Sequence, residues 1–458
     1  MGKIDPDTYD RVGKALVDRL GISPSEALDR LKDIPIEVFV DCDVAISPTL
    51  QAALLTIVNL MPRVFKQAAQ IIDRSNALAA PLLVPFPATS LRDAVEALGG
   101  SVSRQQATGL HVAIGRAEVQ GLRVTFDGWF TQVGPANLTP PLAQNDKCVL
   151  AGIAGAGVAL NEIFLGSLGF EVEAGKRVVG LSLWDPTKCT PESAEHEPVP
   201  EYLPGEAWIL GLGHLGQGII WALSMLPFAE PEKMYLVLQD YDRVIASNVA
   251  TQILTCEHHV GWRKTRVCGE FLRRFGFDSG IIDRPFDVGS RRLACEPALA
   301  LCGFDEHGPR HLLGDVGFER VIVCGIGGTE NDFDDIQIHT MPLQERTAQE
   351  LWPATQTRTY RDKLAQNNAF YRQYHEQHHC GELELAGVSV AVPFVGVIAG
   401  ALAWAEVLRE LNGGQRAAFI GMPLRCIDER RIRYSPRESP CPRYAKPPLG
   451  VRQHTSPR

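Results

Sequence analysis

The chain has 458 residues, 45% of them hydrophobic and 22% charged, the balance of a globular protein long enough for more than one core. Its formal net charge of −9 argues against a broad surface for nucleic acid or anionic membrane, because either needs a basic field. The N-terminus has no apolar leader, the apolar runs break on charges, Gly or Pro, and the 11 cysteines include no C-x-x-C pair. The reading is a cytoplasmic protein with reduced thiols, no membrane span and no structural zinc site of the usual spacing.

In chain order, residues 8–32 read as helical, with Ser23 and Glu26 spaced as a capping box. A strand over 36–44 precedes a helix over 50–73, and the run A-P-L-L-V-P-F reads as the next strand. Extended runs follow at 110–117 and 122–130, then a small-residue helix at 148–168. This alternation predicts an N-terminal α/β domain over 1–184. Residues 185–205, rich in Pro and Glu, read as a linker. The second unit, 206–433, carries strands near 235–239, 280–283 and 320–324 and closes on a helix at 394–411. The Pro/Arg-rich tail, 434–458, lacks the apolar content for a packed core.

Two helices echo one another. Residues 151–164 and 395–408 are both Gly/Ala ladders that end on a glutamate, Glu162 and Glu406. Either both halves are copies of one α/β unit packed as a pseudo-dimer, the first having lost its glycine turn, or such helices simply recur where helices pack closely.

The chemistry concentrates after residue 206. Gly211, Gly213 and Gly216 form G-x-G-x-x-G behind a short strand, where glycine allows a tight turn and lets a phosphate approach the backbone at a helix N-terminus. Asp240 ends the next strand, in the position of a ribose-binding carboxylate. To this point a nicotinamide-dependent oxidoreductase fits equally well. The next segment, D-Y-D-R-V-I-A-S-N-V-A-T-Q, then Val260-Gly261 and Lys264, resembles the ThiF/MoeB and ubiquitin-activating-enzyme superfamily in its order of acidic pair, Ser-Asn, Gln and Gly-x-x-Lys. The later run G-V-S-V-A-V-P-F-V-G-V-I-A-G-A-L-A-W-A-E-V-L resembles the superfamily's closing helix, so the resemblance spans about 206–413.

The resemblance implies a Rossmann-like, doubly wound and mainly parallel sheet in the C-terminal half. It implies binding of ATP and Mg²⁺ and adenylation of the C-terminal glycine carboxylate of a ubiquitin-like or sulfur-carrier protein, with a conjugating enzyme as a further partner. Gly211, Gly213, Gly216, Asp240, Asp242, Asn248, Gln252 and Lys264 would form the nucleotide site. Lys264 would offset phosphate charge as two anions meet. Cys380, beside His378 and His379, is the candidate acceptor of a thioester; a buried inert thiol is its rival reading.

Two positions depart from the superfamily pattern. Thr251 stands where an arginine would meet the triphosphate, a contact that Arg243, Arg263 or a residue from across an interface would have to replace. Gly327, within Gly325–Gly328, stands where an aspartate would help hold Mg²⁺, and Glu330 or Asp332 could serve only if the loop shifts. A nucleotide-binding scaffold or partner subunit without turnover is therefore the alternative, and the oxidoreductase a second one. The assembly expected is a pseudo-dimer within one chain or a homodimer.

Overall fold

A computed structural model describes residues 3–105, 108–192, 194–343, 346–353, 359–378 and 381–436. The first half contains helices α1 (Arg11–Leu20), α2 (Pro24–Lys32), α3 (Pro48–Val64), α4 (Leu91–Ala97) and α5 (Leu150–Ser167). Its strands are β1 (Ile36–Val40), β2 (Gln70–Asp73), β3 (Ser101–Ser103), β4 (Leu110–Ile114), β5 (Leu122–Asp127), β6 (Phe130–Pro135) and β7 (Val179–Ser182). The second half has strands β8 (Glu206–Leu210), β9 (Tyr235–Gln239), β10 (Ser279–Ile282), β11 (Leu299–Cys302), β12 (Arg320–Ile326), β13 (Asp335–Met341), β14 (Ala417–Pro423) and β15 (Arg431–Tyr434). Its helices are α6 (His214–Ser224), α7 (Lys264–Arg274), α8 (His307–His311), α9 (Ala348–Leu351), α10 (Thr359–Asn367), α11 (Ala369–His378), α12 (Glu382–Gly387) and α13 (Pro393–Leu411).

The two sheets repeat one topology. The first runs β3-β2-β1-β4-β5-β6-β7 and the second β10-β9-β8-β11-β12-β13-β14-β15. In each, the first five strands in that order pair in parallel and the following ones antiparallel. The expected α/β class with a mainly parallel second sheet is the observed one.

Helices α5 and α13 meet at the centre. A Cβ on Gly157 would sit 2.5 Å from Ile398 Cγ1, so only glycine lets the two helices come this close. The echoing glutamates do the same work in both halves. Glu162 accepts Gly175 N–H at 2.9 Å and Glu406 accepts Ala417 N–H at 2.7 Å. Each buried carboxylate thus anchors the chain as it comes back to the sheet, before β7 and within β14.

The helical reading of 8–32 holds as two helices: Gly21 (φ 67°) ends the first, and Ser23 caps the second by accepting Glu26 N–H at 3.2 Å. Two expectations need correction. The helix expected over 50–73 stops at Val64, with Lys66 at φ 57°, and its last residues form strand β2 instead. The run 80–86 forms no strand. Helix α5 is also long and apolar enough to cross a membrane, but it lies buried in the core shared by the two halves. Residues 185–205 are largely irregular and pack on both halves: Trp129 Nε1 donates to Pro198 O at 2.8 Å, and Asn412 Oδ1 accepts Glu201 N–H at 2.8 Å. Residues 437–458 lie outside the described part of the chain.

Candidate functional site

At the carboxyl ends of β8, β9, β11 and β12 lies a cleft of about 860 Å³, where open α/β sheets bind ligands. Among its lining residues are Gly211, Gly213, Asp240, Asp242, Asn248, Gln252 and Lys264, so one cavity gathers seven of the eight expected nucleotide-site residues. Gly216 stands behind it. A Cβ there would lie 1.9 Å from Gly211 O, which makes Gly216 the contact between helix α6 and the turn. Gly211 supplies a positive φ of 77°. A Cβ on Gly213 would meet open space, and Gly211 and Gly213 both line the cleft.

Asp240 braces this turn. Its carboxylate accepts Leu212 N–H at 2.6 Å and Asp242 N–H at 2.8 Å. Burial raises its pKa against the pull of Lys264. Lys264 opens helix α7 and its ammonium lies 2.7 Å from Asp242 Oδ2. Asn248 Oδ1 accepts Ile245 N–H at 3.2 Å, a local cap. Gln252 is held from behind, its Oε1 accepting from Gln217 Nε2 at 2.9 Å and from Thr255 Oγ1 at 3.1 Å.

The first half contributes a cation to this wall. Arg11, on the first turn of α1, lines the cleft. Its Nε is buried without a hydrogen-bond partner, and its charge is felt at His214 in the glycine turn. Burial lowers the pKa of the guanidinium despite nearby Asp305 and Asp7. Of the arginines considered in place of Thr251, Arg243 lines the cleft but donates to Gly261 O at 2.7 Å. Arg263 does not line it and bonds Tyr241 O. Arg310 also lines it, but is committed to the carbonyls of Phe304 at 2.8 Å and Cys324 at 3.1 Å. No local motif marks Arg11, which reaches the site only through packing of the two halves.

The loop after β12 folds back on the strand end. Asp332 folds back so that a Cβ on Gly327 would lie 2.3 Å from its carboxyl carbon, and it lines the cleft. Its Oδ1 accepts Thr329 N–H at 2.8 Å and Thr329 Oγ1 at 2.6 Å. The Gly325–Gly328 run therefore makes room for Asp332 and for the extended segment that follows α12, where Val390 N–H donates to Gly328 O at 2.9 Å. Glu330 is buried and does not line the cleft. Among the described residues no group of three or more His, Cys, Asp or Glu side chains is arranged to hold a metal by itself.

Cys380 and His379 lie outside the described residues. Cys324 is buried on β12, where burial pushes its thiol up to about 12, so it is a core thiol; Cys256 is exposed. The turn after β1 lacks glycine and is filled by its own side chains. Asp43 accepts Arg116 N–H at 2.8 Å and Gln144 Nε2 at 3.0 Å, over Gly115.

Two family models match in tandem, the BilD N-terminal domain over residues 35–183 and the BilD C-terminal domain over 203–414. The chain is 35% identical over 426 residues, 91% of each chain, to the bacterial E1-like protein BilD of Collimonas sp. (strain OK412). Among solved structures, E. coli MccB aligns with 73% of this chain and 98% of its own at 14% identity and a TM-score of 0.35. A complex of MccB with MccA aligns with 52% and 66% at 14% identity and a TM-score of 0.34. The extent and identity of the match to the Collimonas protein, with both domain models in the same order, show that the chain belongs to the BilD family of bacterial E1-like proteins.

Proposed function

We propose that the cleft binds ATP and that the protein adenylates the C-terminal carboxylate of a ubiquitin-like or sulfur-carrier protein. The observation that carries this reading is the refilling of both departures from the superfamily pattern. Arg11 arrives from the first half at a wall where Thr251 offers no charge, and Asp332 folds over Gly327 to bring a carboxylate to the strand end.

In this reading the glycine turn, with Gly213 open to the cleft, takes the phosphates on backbone N–H groups, and Asp240 takes the ribose hydroxyls. Lys264 and Arg11 reduce the repulsion between the incoming carboxylate and the triphosphate. Asp332 and Asp242 are the carboxylates that would hold Mg²⁺, which needs only one or two of them besides phosphate oxygens. The Mg²⁺ would neutralise phosphate charge. The carboxylate oxygen attacks the α-phosphorus, the α–β bridging P–O bond breaks, and pyrophosphate leaves with the electron pair. Attack of the Cys380 thiolate on the acyl carbon would then form a thioester and release AMP.

The test is exchange of radiolabelled pyrophosphate into ATP with Mg²⁺, with and without candidate carriers ending in Gly-Gly. Carrier-dependent exchange abolished by Lys264→Ala supports the reading. ATP binding without exchange would replace it by the scaffold reading, and NAD binding without ATP binding would overturn both.

A further inference from the structure

Arg11, Lys14 and Asp18 stand at i, i+3 and i+7 on α1 and so share one face of that helix. Arg11 points this face at the cleft. Lys14 and Asp18 form an ion pair with side chains 1% exposed. Asp18 Oδ1 accepts the Tyr371 hydroxyl of α11 at 2.7 Å. Lys14 Nζ lies 5.6 Å from the centre of the Tyr371 ring, within reach of a cation–π contact. Asn368, just before α11, donates Nδ2 to the carbonyls of Val17 and Asp18, both at 2.9 Å. Farther along, Tyr374 accepts Ile4 N–H at 2.9 Å. At the cleft end, Ala391 N–H meets Arg11 O at 3.4 Å.

A buried ion pair contributes little net stability, because desolvation offsets the attraction, and its best-attested use is to fix register. Here the pair has a register to fix. Helix α1 is 10 residues long, and turning it by one residue would swing Arg11 through about 100° and out of the cleft. An apolar contact could hold α1 on α11 in several rotations. A hydroxyl, a carboxylate and an ammonium buried together accept one.

The geometry points to Lys14, Asp18 and Tyr371 as positioning residues that hold Arg11 against the phosphates of a bound nucleotide, so that the grip of the cleft depends on α11 being docked. Helix α11 ends two residues before Cys380 in the sequence. This inference rests on the proposed nucleotide reading.

The experiment measures the dissociation constants of Mg-ATP and AMP by calorimetry on the full chain. The wild type is compared with Arg11→Ala, Asp18→Asn and Tyr371→Phe, the last of which keeps the ring and its volume. Loss of one charged contact to phosphate weakens binding roughly tenfold or more. The expected result is a fall of this order in the ATP-over-AMP preference for Arg11→Ala, and a smaller fall in the same direction for Asp18→Asn and Tyr371→Phe. AMP affinity should stay within about twofold in all three. A purely structural role would weaken both nucleotides together or neither. Unchanged preference in Tyr371→Phe and Asp18→Asn beside a reduced one in Arg11→Ala overturns the positioning role alone. Unchanged preference in Arg11→Ala removes the phosphate contact itself. A wild type that binds neither nucleotide overturns the underlying reading and this inference with it. If Asp18→Asn does not fold, Tyr371→Phe decides.

Discussion

The Lys264 ammonium lies 2.7 Å from Asp242 Oδ2 at the mouth of the cleft, with the lysine side chain 11% exposed and the carboxylate 46% exposed. The pair holds the cation at the start of α7, on the cleft wall with Asp240. A phosphate arriving there meets an ammonium already desolvated on one side and ordered by its partner. Lys264→Ala is expected to weaken ATP binding by roughly tenfold to a hundredfold, the loss of one charge-assisted contact. The melting temperature should hardly move, because a partly exposed ion pair contributes little to stability. Equal ATP affinity in wild type and variant, by calorimetry, would remove Lys264 from the site.

The three glycines of the turn separate by substitution. Gly216→Ala would place a Cβ 1.9 Å from Gly211 O, so the helix must move off the turn, at a cost of about 1–3 kcal/mol. Gly213→Ala meets nothing within 4 Å and should alter stability by less than about 0.5 kcal/mol, yet a methyl group there occupies the approach to the backbone N–H groups. Urea melts should therefore single out Gly216→Ala, while Gly213→Ala folds normally and binds ATP at least about tenfold more weakly. Normal ATP binding by a folded Gly213→Ala protein would mean that the phosphates lie elsewhere.

Much of the second half was legible because its signals are local. A strand, a glycine turn and a helix follow one another in sequence, and the segment 240–252 forms one wall of the cleft. Strand β2 was not legible: its four residues, Gln-Ile-Ile-Asp, the last three buried, carry no periodicity that separates them from the end of the preceding helix. Arg11 lies 200 residues before the glycine turn and is surrounded by ordinary helix residues, so only the docking of the two halves reveals it. Asp332 reaches the cleft because Gly327 leaves room for its carboxylate, a contact between loop residues that spacing alone does not reveal. The repeated topology was faintly visible in the paired Gly/Ala helices, but the turn after β1 holds Asp43 and no glycine, so the first half carries no nucleotide signature in its sequence.

His339 offers a pH test of the second sheet. It packs between Trp352 and Phe419, with ring centres 5.4 and 4.9 Å away, and its Nδ1 is buried without a partner. Burial, then the charges of Arg310 and Arg433, lowers its pKa to about 4. Below pH 6.5 the unfolded chain takes up a proton that the folded protein refuses until about pH 4, so this residue's contribution to stability falls as pH falls through that window, at most by about 1.4 kcal/mol per unit. Buried Asp18 and Asp334, with pKa values raised to about 6, act in the opposite direction, so the effect must be read as a difference. His339→Phe should gain stability relative to wild type between pH 6.5 and 4, measured by urea unfolding. Parallel pH profiles would show that the imidazole protonates freely in the fold.

Arg63 ties the two halves together beneath the site. From α3 its Nη1 donates to the carbonyls of Val249, Gln252 and Thr255 at 2.8, 3.0 and 2.6 Å, and Asn59 adds a bond to Ile253 O at 3.3 Å. The segment carrying Asn248, Thr251 and Gln252 is thus held from the first half of the chain as well as by Gln217 of its own half. Removing the guanidinium leaves three carbonyls without their donor, so Arg63→Ala should destabilise the protein by roughly 2–4 kcal/mol. It should also increase amide exchange locally over 249–255. Arg63→Lys keeps the charge and three donors, and should restore part of the stability. Exchange by mass spectrometry distinguishes a local brace from a general core contact. Faster exchange confined to 249–255 supports the brace. Uniform acceleration across both sheets would show that Arg63 stabilises the fold as a whole and does nothing particular for the cleft.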